Sequence, residues 1–155
     1  MAISTTINLL QALNRSITGI KRAPDLDKYP TVIDTANLPM MISWPSEAQF
    51  HIKGGGEKRQ DRVYRLICYI EPLGQNDIPS RASAAATLLQ RVVDTYITAA
   101  NVALADPGGT NIYQVTIESG PNHQHSDSGL VSNLLFAGKP YHGFEVRVNV
   151  RELWS

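Results

Sequence analysis

The sequence predicts a single α+β domain over residues 1–155, in which a mostly antiparallel sheet of four strands packs against two helices. Three observations predict this class. A chain of 155 residues, 43% hydrophobic and 18% charged, suits one globular domain with its own core. Residues 80–102 have the strongest helical composition. Strand patterns lie on both sides of this stretch, which gives the order helix, strand, strand, helix, strand, strand.

The first element is predicted to be an amphipathic helix that covers the sheet. Its apolar residues recur at three- and four-residue spacing: Ile3, Ile7, Leu10, Leu13, Ile17 and Ile20. Its outer face is predicted to carry Asn8, Gln11, Arg15 and Thr18. Residues 23–37 contain two prolines and three aspartates but no calcium-loop spacing, so we expect an extended, solvated connection rather than a metal site.

The next two strands, 38–45 and 61–70, are predicted to form an antiparallel hairpin. Pro39 and Pro45 confine pairing of the first strand to its middle or place it at a sheet edge. One face of the second strand is predicted to carry Tyr64, Leu66, Cys68 and Ile70. Residues 46–60 are expected to form a long, mobile tip with a basic rim. Its triple glycine leads into Glu57 and a strand, which disfavours a phosphate-binding loop.

The long helix over 80–102 is expected to brace the sheet. Ser80 suits the N-cap, and the Asp-Pro-Gly-Gly run at 106–109 ends the segment. The inward stripe is predicted to consist of Ala82, Ala85, Ala86, Leu89, Val92, Val93, Tyr96 and Ala100. The outward side is predicted to carry Gln90, Arg91, Asp94 and Thr98. Small residues at the N-terminal end permit close approach by a sheet or a neighbouring subunit.

Two further strands are predicted over 112–119 and 144–151. The second alternates cleanly, with Phe144, Val146, Val148 and Val150 on the buried side and charged or polar residues on the wet or subunit-facing side. Residues 121–143 are expected to form one long loop. Loops of this length are usually functional or ordered by a partner.

Composition and charge argue against several classes of protein. Basic and acidic residues number 14 each, whereas a dedicated nucleic-acid binder usually has a basic excess. The single cysteine, Cys68, excludes an internal disulfide and a cysteine-built zinc site, and its apolar strand pattern predicts a buried thiol. We recognise neither a signal peptide nor a membrane span, so we expect the protein to begin in the cytoplasm.

No arrangement of residues predicts an active site, and we assign no catalytic residue, metal or cofactor. A Gly-x-Ser-x-Gly elbow is absent, and the carboxylates are dispersed. His123, His125 and Asp127 form a metal-like cluster, but their polar, glycine-rich flanks favour a solvated loop or an interface contact. His51 and His142 each stand alone beside loops and are expected at the surface.

The element order, with its long hairpin tip and long loop, carries a family resemblance. Together with the Thr-Ile-Asn-Leu-Leu-Gln-Ala-Leu segment at 6–13 and the terminal Phe-Glu-Val-Arg-Val-Asn-Val strand at 144–150, it resembles the tail terminator (tail-completion) proteins of long, non-contractile-tailed bacteriophages. The resemblance covers nearly the whole chain and is one of architecture and length.

This resemblance implies a structural virion protein of the tail and head–tail neck, not an enzyme. Such proteins form a hexameric ring on the last ring of tail-tube subunits, halt tube polymerisation and present a surface to the head connector. DNA passes through the lumen without sequence recognition. A head-completion or neck adaptor protein is the nearest alternative. A small ligand- or nucleic-acid-binding α+β domain is an alternative of a different class.

Subunit and tube contacts are expected in the hairpin tip at 51–62, in the long loop and on the wet face of the last strand. The residues assigned to these contacts are His51, Lys53, Lys58, Arg59, Arg62, His123, His125, Asp127, Lys139, Arg147 and Arg151.

Overall fold

The computed structural model describes residues 3–52, 58–73, 82–99, 112–117 and 129–154. Within these ranges the helices are α1 (Ile3–Arg15) and α2 (Ala82–Ala99). The strands are β1 (Met40–Ile52), β2 (Lys58–Pro72), β3 (Ile112–Ile117), β4 (Gly129–Phe136) and β5 (Lys139–Trp154). The connection from α1 to β1 contains short 3-10 turns at Leu26–Lys28 and Thr35–Asn37. The predicted α+β class, with an antiparallel sheet and two helices, is confirmed.

All pairs among the described strands are antiparallel, and the main strand order is β1-β2-β5-β3. β2 runs along one side of β5 from Tyr141 to Trp154. The other side of β5 is shared, because β4 pairs with its first half and β3 pairs with residues 148–152. β5 is therefore the central strand, and β1 forms an edge among the described strands, which is the second of the two outcomes that its prolines predicted.

β4 corrects the prediction of one long loop over 121–143. Residues 129–136 form a strand that turns into β5 through Ala137 and Gly138, which have φ angles of 51° and 81°. Positive φ at both central positions is the mark of a type I′ hairpin turn, whose twist matches that of antiparallel strands. The sheet formed by the described residues therefore has five strands where four were predicted. Residues 121–128 of the predicted loop lie outside the described residues, as do residues 118 and 119 at the end of the strand predicted over 112–119.

The hairpin of β1 and β2 is longer than predicted. The paired register runs from Met40 opposite Tyr69 to Ile52 opposite Lys58, with an irregularity between Pro45 and Ala48. Most of the stretch expected to be a mobile tip is therefore regular strand. Residues 53–57, between the two strands, lie outside the described residues.

Both helices pack on one face of the sheet and enclose the main hydrophobic core. The buried residues of the central strands alternate along the chain, because every second side chain of a strand points to the same face. From β2 and β5 they are Tyr64, Leu66, Cys68, Ile70, Phe144, Val146, Val148 and Val150. The predicted inward faces of both strands are confirmed, and the Cys68 thiol is fully buried.

The buried stripe of α2 differs from the predicted one at its N-terminal end. Leu88 is buried, whereas Leu89 is only partly buried. Ala82 and Ala86, predicted to point inward, are exposed. The rotation exposes the small side chains of the first turns except Ala85, which is buried in the core as predicted. The predicted outward residues Gln90, Arg91, Asp94 and Thr98 are exposed.

Gln11 is fully buried, which corrects its assignment to the outer face of α1. Its side-chain amide donates to the carbonyls of Pro24 and Met41 at 2.7 and 2.9 Å. Its oxygen accepts from the Asn14 amide at 2.8 Å, and Asn14 in turn accepts from the Tyr96 hydroxyl at 2.6 Å. These bonds fasten α1 to β1, to the following connection and to α2.

Among the described residues, the face of the sheet opposite the helices is covered only at one end. A second hydrophobic cluster lies there, formed by Ile33, Leu38, Met40, Ile42, Ile67, Tyr69, Leu134 and Tyr141. The Tyr69 ring lies edge-on to the rings of Phe136 and Tyr141, at centroid distances of 5.3 and 5.6 Å. Ile33 and Leu38, from the connection before β1, supply the cover.

Candidate interaction surface

The other end of this face carries charged side chains, and we call it the outer patch. The alternation that places Tyr64 and Leu66 in the core directs their neighbours along β2 to the opposite face. The strand register adds the corresponding residues of β1 and β5. The outer patch consists of Trp44, Asp61, Val63, Arg65, Glu145, Arg147, Asn149 and Arg151.

Glu145 organises the centre of the outer patch. Arg65 lies directly opposite Arg147, an arrangement of like charges that is unfavourable by itself. Glu145 is only 8% exposed and bonds Arg65 through both carboxylate oxygens, with 3.0 Å from Arg65 Nη2 to Glu145 Oε2. Arg147 Nε lies 3.5 Å from Glu145 Oε1. The hydrogen bonds from Arg65 to Glu145 raise the pKa of the Arg65 guanidinium. Because Glu145 contacts both arginines, it holds both side chains in place.

A second ion pair lies nearer the hairpin end. Asp61 and Arg151 are register partners on β2 and β5, and Arg151 Nε donates to Asp61 Oδ1 at 2.9 Å. Arg151 is 46% exposed, so water screens this pair more than the first. Three arginines against two carboxylates give the outer patch a formal charge of +1.

Trp44 stands at the margin of the outer patch with 49% of its surface exposed. It is the register partner of Arg65. Tryptophan and arginine are the residue types most enriched at the energetic centres of protein interfaces. The outer patch therefore has the chemistry of a protein-contact surface.

The predicted contact residues do not gather in one place. Arg147 and Arg151 lie on the outer patch, as the alternation of the last strand predicted. Arg62 instead points to the helix side, where it donates to the Ser46 carbonyl at 3.0 Å, which corrects its placement in a basic tip. Lys139 is exposed at the start of β5, with its ammonium 5.7 Å from the centre of the Tyr141 ring.

Three other predicted contact residues belong to paired strand rather than to a loop. His51 pairs with Arg59, and Lys58 pairs with Ile52. The predicted contacts at Lys53, His123, His125 and Asp127 lie outside the described residues.

His142 is buried, with 5% of its surface exposed, and the prediction of a surface histidine is wrong. It lies in β5, opposite Glu71 of β2. Neither ring nitrogen has a hydrogen-bond partner among the described residues. The unexpected strand β4 explains the error, because the turn at Ala137 and Gly138 makes residue 142 part of the sheet.

Glu152 is a buried carboxylate that the sequence analysis did not single out. Its Oε1 accepts from Thr6 Oγ1 at 2.6 Å and from the Tyr64 hydroxyl at 2.9 Å. The Gln60 side-chain amide lies 3.4 Å from Oε2. Burial and the charge of Glu152 raise the pKa of Tyr64. The group ties the start of α1 to β2 and β5.

No group of three or more metal-ligating side chains occurs in the part of the chain that the structure describes. Two surface depressions adjoin the end of α1, and their linings are largely polar or charged. One is lined by Arg15, Ile20, Lys21, Arg22, Ala23, Pro24, Asp25 and Lys28. Small-molecule sites are usually lined by apolar side chains, so these depressions do not resemble them.

The fold and the outer patch define an α+β domain that presents a charged sheet face. No family model matches the chain, and a search of curated proteins also found no match. Among the described helices, none combines the length and apolar character needed to cross a membrane.

Proposed function

We propose that the chain is a structural virion protein of a long, non-contractile-tailed bacteriophage. Copies of it form a ring, proposed to be a hexamer, on the end of the tail tube. The ring ends tube polymerisation and joins the tail to the head-completion or connector protein, and DNA passes through its lumen without sequence recognition. The protein acts by contact in the neck of the virion and not as an enzyme.

The observation that carries this proposal is the divided face of the sheet. One end is covered by the chain's own hydrophobic cluster, and the other end is the outer patch. Glu145 fixes two arginines of the outer patch, so the entropy of ordering their side chains is largely lost before any partner binds. A preordered surface with an exposed tryptophan suits contact with another folded subunit.

A second exposed surface supports a ring over an isolated pair. Subunits of a ring need two different contact surfaces, because each copy meets one neighbour on either side. The first turns of α2, on the opposite side of the sheet from the outer patch, expose small side chains: Ala82, Ser83, Ala84, Ala86 and Thr87. Small side chains let a neighbouring backbone approach closely.

Disrupting the coding gene in the phage that carries it tests the function. Loss of a tail terminator produces tubes that grow beyond their normal length, whereas loss of a neck adaptor leaves tails of normal length unjoined to heads. Electron microscopy of the lysate separates these outcomes. Normal tails joined to heads would contradict the proposal.

Complementation in trans connects the phenotype to the outer patch. The wild-type chain is expected to restore tube length, and Arg151→Glu is expected to fail, because it sets a second carboxylate opposite Asp61 and changes the formal charge of the outer patch from +1 to −1. Lys28→Glu, an equal charge reversal at an exposed residue outside the outer patch, is the matched control and is expected to restore length.

A further inference from the structure

We propose that the outer edge of β1 over residues 48–52 pairs with β3 of a second copy of this chain, so that the sheet continues from one copy into the next. The inference rests on the proposed ring, since it names the contact between neighbouring copies. It follows from a difference between the two halves of β1: other parts of the chain bond the outer main-chain groups of the first half, whereas no described residue bonds those of the second half.

The first half of the β1 edge is closed by the chain itself. The Met41 N–H donates to the Arg22 carbonyl at 2.9 Å, and the Met41 carbonyl accepts from the Gln11 amide at 2.9 Å. The Ser43 N–H and carbonyl both bond the Tyr29 hydroxyl, at 2.9 and 2.7 Å. An edge whose main-chain groups are occupied in this way is unavailable to another strand.

The closure ends at Pro45, which has no N–H to offer. An irregularity follows between Pro45 and Ala48, and β1 then continues in register with β2 as far as Ile52. Bulges and prolines are devices by which proteins interrupt an open edge. Beyond them, no described residue outside β2 pairs with residues 48–52.

Strand geometry identifies which groups of this open half point outward. Main-chain groups of successive residues alternate between the two sides of a strand. Since Met41 and Ser43 bond outward, the even-numbered residues of β2 opposite them bond toward β5. When this alternation is continued along β2, the main chains of Gln49 and Asp61 hydrogen-bond to each other. The main-chain N–H and C=O groups of residues 48, 50 and 52 then point away from β2, toward the outer edge.

The edge that matches β1 is the outer edge of β3, at the opposite end of the strand order β1-β2-β5-β3. β1 near Ile52 is followed across the sheet by the start of β2, the end of β5 and then β3. β3 pairs with β5 on one side, and the same alternation directs the groups of Val115 and Ile117 outward. Among the described strands, none covers that outer side of β3.

The strand directions make these two edges complementary. Each neighbour in the row is antiparallel, so β1 and β5 run one way and β2 and β3 run the other. A second copy placed beside the first therefore brings its β3 antiparallel to β1. The contact uses two different edges of each copy, so it repeats and closes into a ring by rotation. Pairing of β1 with another β1 would stop at two copies.

Amide hydrogen exchange of the wild-type chain tests the contact without any substitution. Assembled and dilute samples are compared by mass spectrometry. We expect the amides of 48, 50 and 52 and those of Val115 and Ile117 to exchange at least tenfold more slowly in the assembly. An assembly with unchanged exchange at these amides would overturn the proposed edge contact but would not contradict the proposed ring. Protection of β1 alone in a two-copy particle would also overturn it, and a chain that is monomeric at every concentration would overturn both.

Proline substitution provides a second test. Ala48→Pro and Phe50→Pro remove one outward N–H each, and Pro45 demonstrates that β1 accepts proline at an outward position. We expect these variants to lose the assembly by sedimentation while keeping the far-ultraviolet circular dichroism of the wild type. Ala48→Ser and Phe50→Ala, which keep the N–H, are the matched controls and are expected to assemble. Assembly of the folded proline variants would contradict the proposal.

A mixing experiment gives the direction of the contact. A tagged Phe50→Pro chain keeps its β3 edge, so it is expected to capture untagged wild-type chain through the wild-type β1. Wild-type chain that assembles with itself but is not captured by this variant would contradict pairing between β1 and β3.

Discussion

The Tyr29 hydroxyl satisfies both main-chain groups of Ser43, donating to its carbonyl at 2.7 Å and accepting from its N–H at 2.9 Å. A phenol is protonated at neutral pH and can therefore both donate and accept, and burial raises the pKa of Tyr29 further, to about 12. A side chain from the connection after α1 thus occupies the place that a neighbouring strand would take beside β1. This relationship marks where the edge is closed; among the described residues, no such contact continues along 48–52.

Tyr29→Phe should destabilise the chain by about 1–3 kcal/mol, because two buried main-chain groups lose their partner. The free energy of unfolding in urea measures the loss. Tyr69→Phe is the matched control, since its hydroxyl makes one longer bond, 3.3 Å to the Leu135 carbonyl, and should cost less. Equal losses in the two variants would contradict the role assigned to Tyr29.

The two ion pairs of the outer patch should differ in strength. Double-mutant cycles to alanine are expected to give a coupling of about 1–2 kcal/mol for Arg65 with Glu145, because two hydrogen bonds reach a largely buried carboxylate. The more exposed pair of Asp61 with Arg151 should give less than about 0.5 kcal/mol. Raising the salt concentration should weaken the second coupling by the larger fraction. Equal couplings would mean that Glu145 does not organise the outer patch.

The chain should lose stability at alkaline pH. Burial is the main cause that raises the pKa of Tyr29 and of Tyr69 to about 12, and it also raises the pKa of Tyr64 and Tyr96. Above about pH 10 the unfolded chain loses these phenolic protons while the folded chain keeps them, so the folded state binds more protons. The stability contribution is therefore complete below pH 10 and declines as the pH rises above it.

Spectrophotometric titration at 295 nm checks this prediction. The phenolate signal of these four tyrosines should appear in one step together with the loss of far-ultraviolet circular dichroism. Gradual ionisation of all four while the fold persists would contradict their assigned burial.

Leu88→Ala and Leu89→Ala form a matched pair that tests the rotation of α2. Leu88 is 5% exposed within the main core, so its truncation should cost about 2–5 kcal/mol. Leu89 is only partly buried, and the same truncation should cost distinctly less. Thermal and urea unfolding measure both values. A larger loss for Leu89 would favour the stripe expected from the sequence pattern.

Much of the fold was predictable because its apolar residues follow regular periods. The alternation of β2 and β5 gave the correct core faces. β4 was not predicted because its register shifts between Val131 and Leu134, which breaks the period of two. Its turn was also hidden, since Ala137 stands at a positive φ where asparagine, aspartate or glycine is usual. A shifted register and an atypical turn residue remove the two signals by which a hairpin is recognised.

Buried polar groups were the other source of error. Gln11 looks like a surface residue by type, but it bonds the carbonyls of Pro24 and Met41, which are distant in sequence.

The outer patch was predictable only in part. Alternation placed Arg147 and Arg151 on the wet face, but their partners depend on the register between β2 and β5, which sequence periodicity does not fix.

The mass and symmetry of the purified particle test the central claim, that copies of this chain close into a ring. Native mass spectrometry with electron-microscopic class averages gives both. The account predicts closed six-fold rings of about 102 kDa, six times the 17.0 kDa of the chain. Twelve-fold rings would favour the neck adaptor. A monodisperse monomer at all concentrations would contradict the ring and the edge contact together.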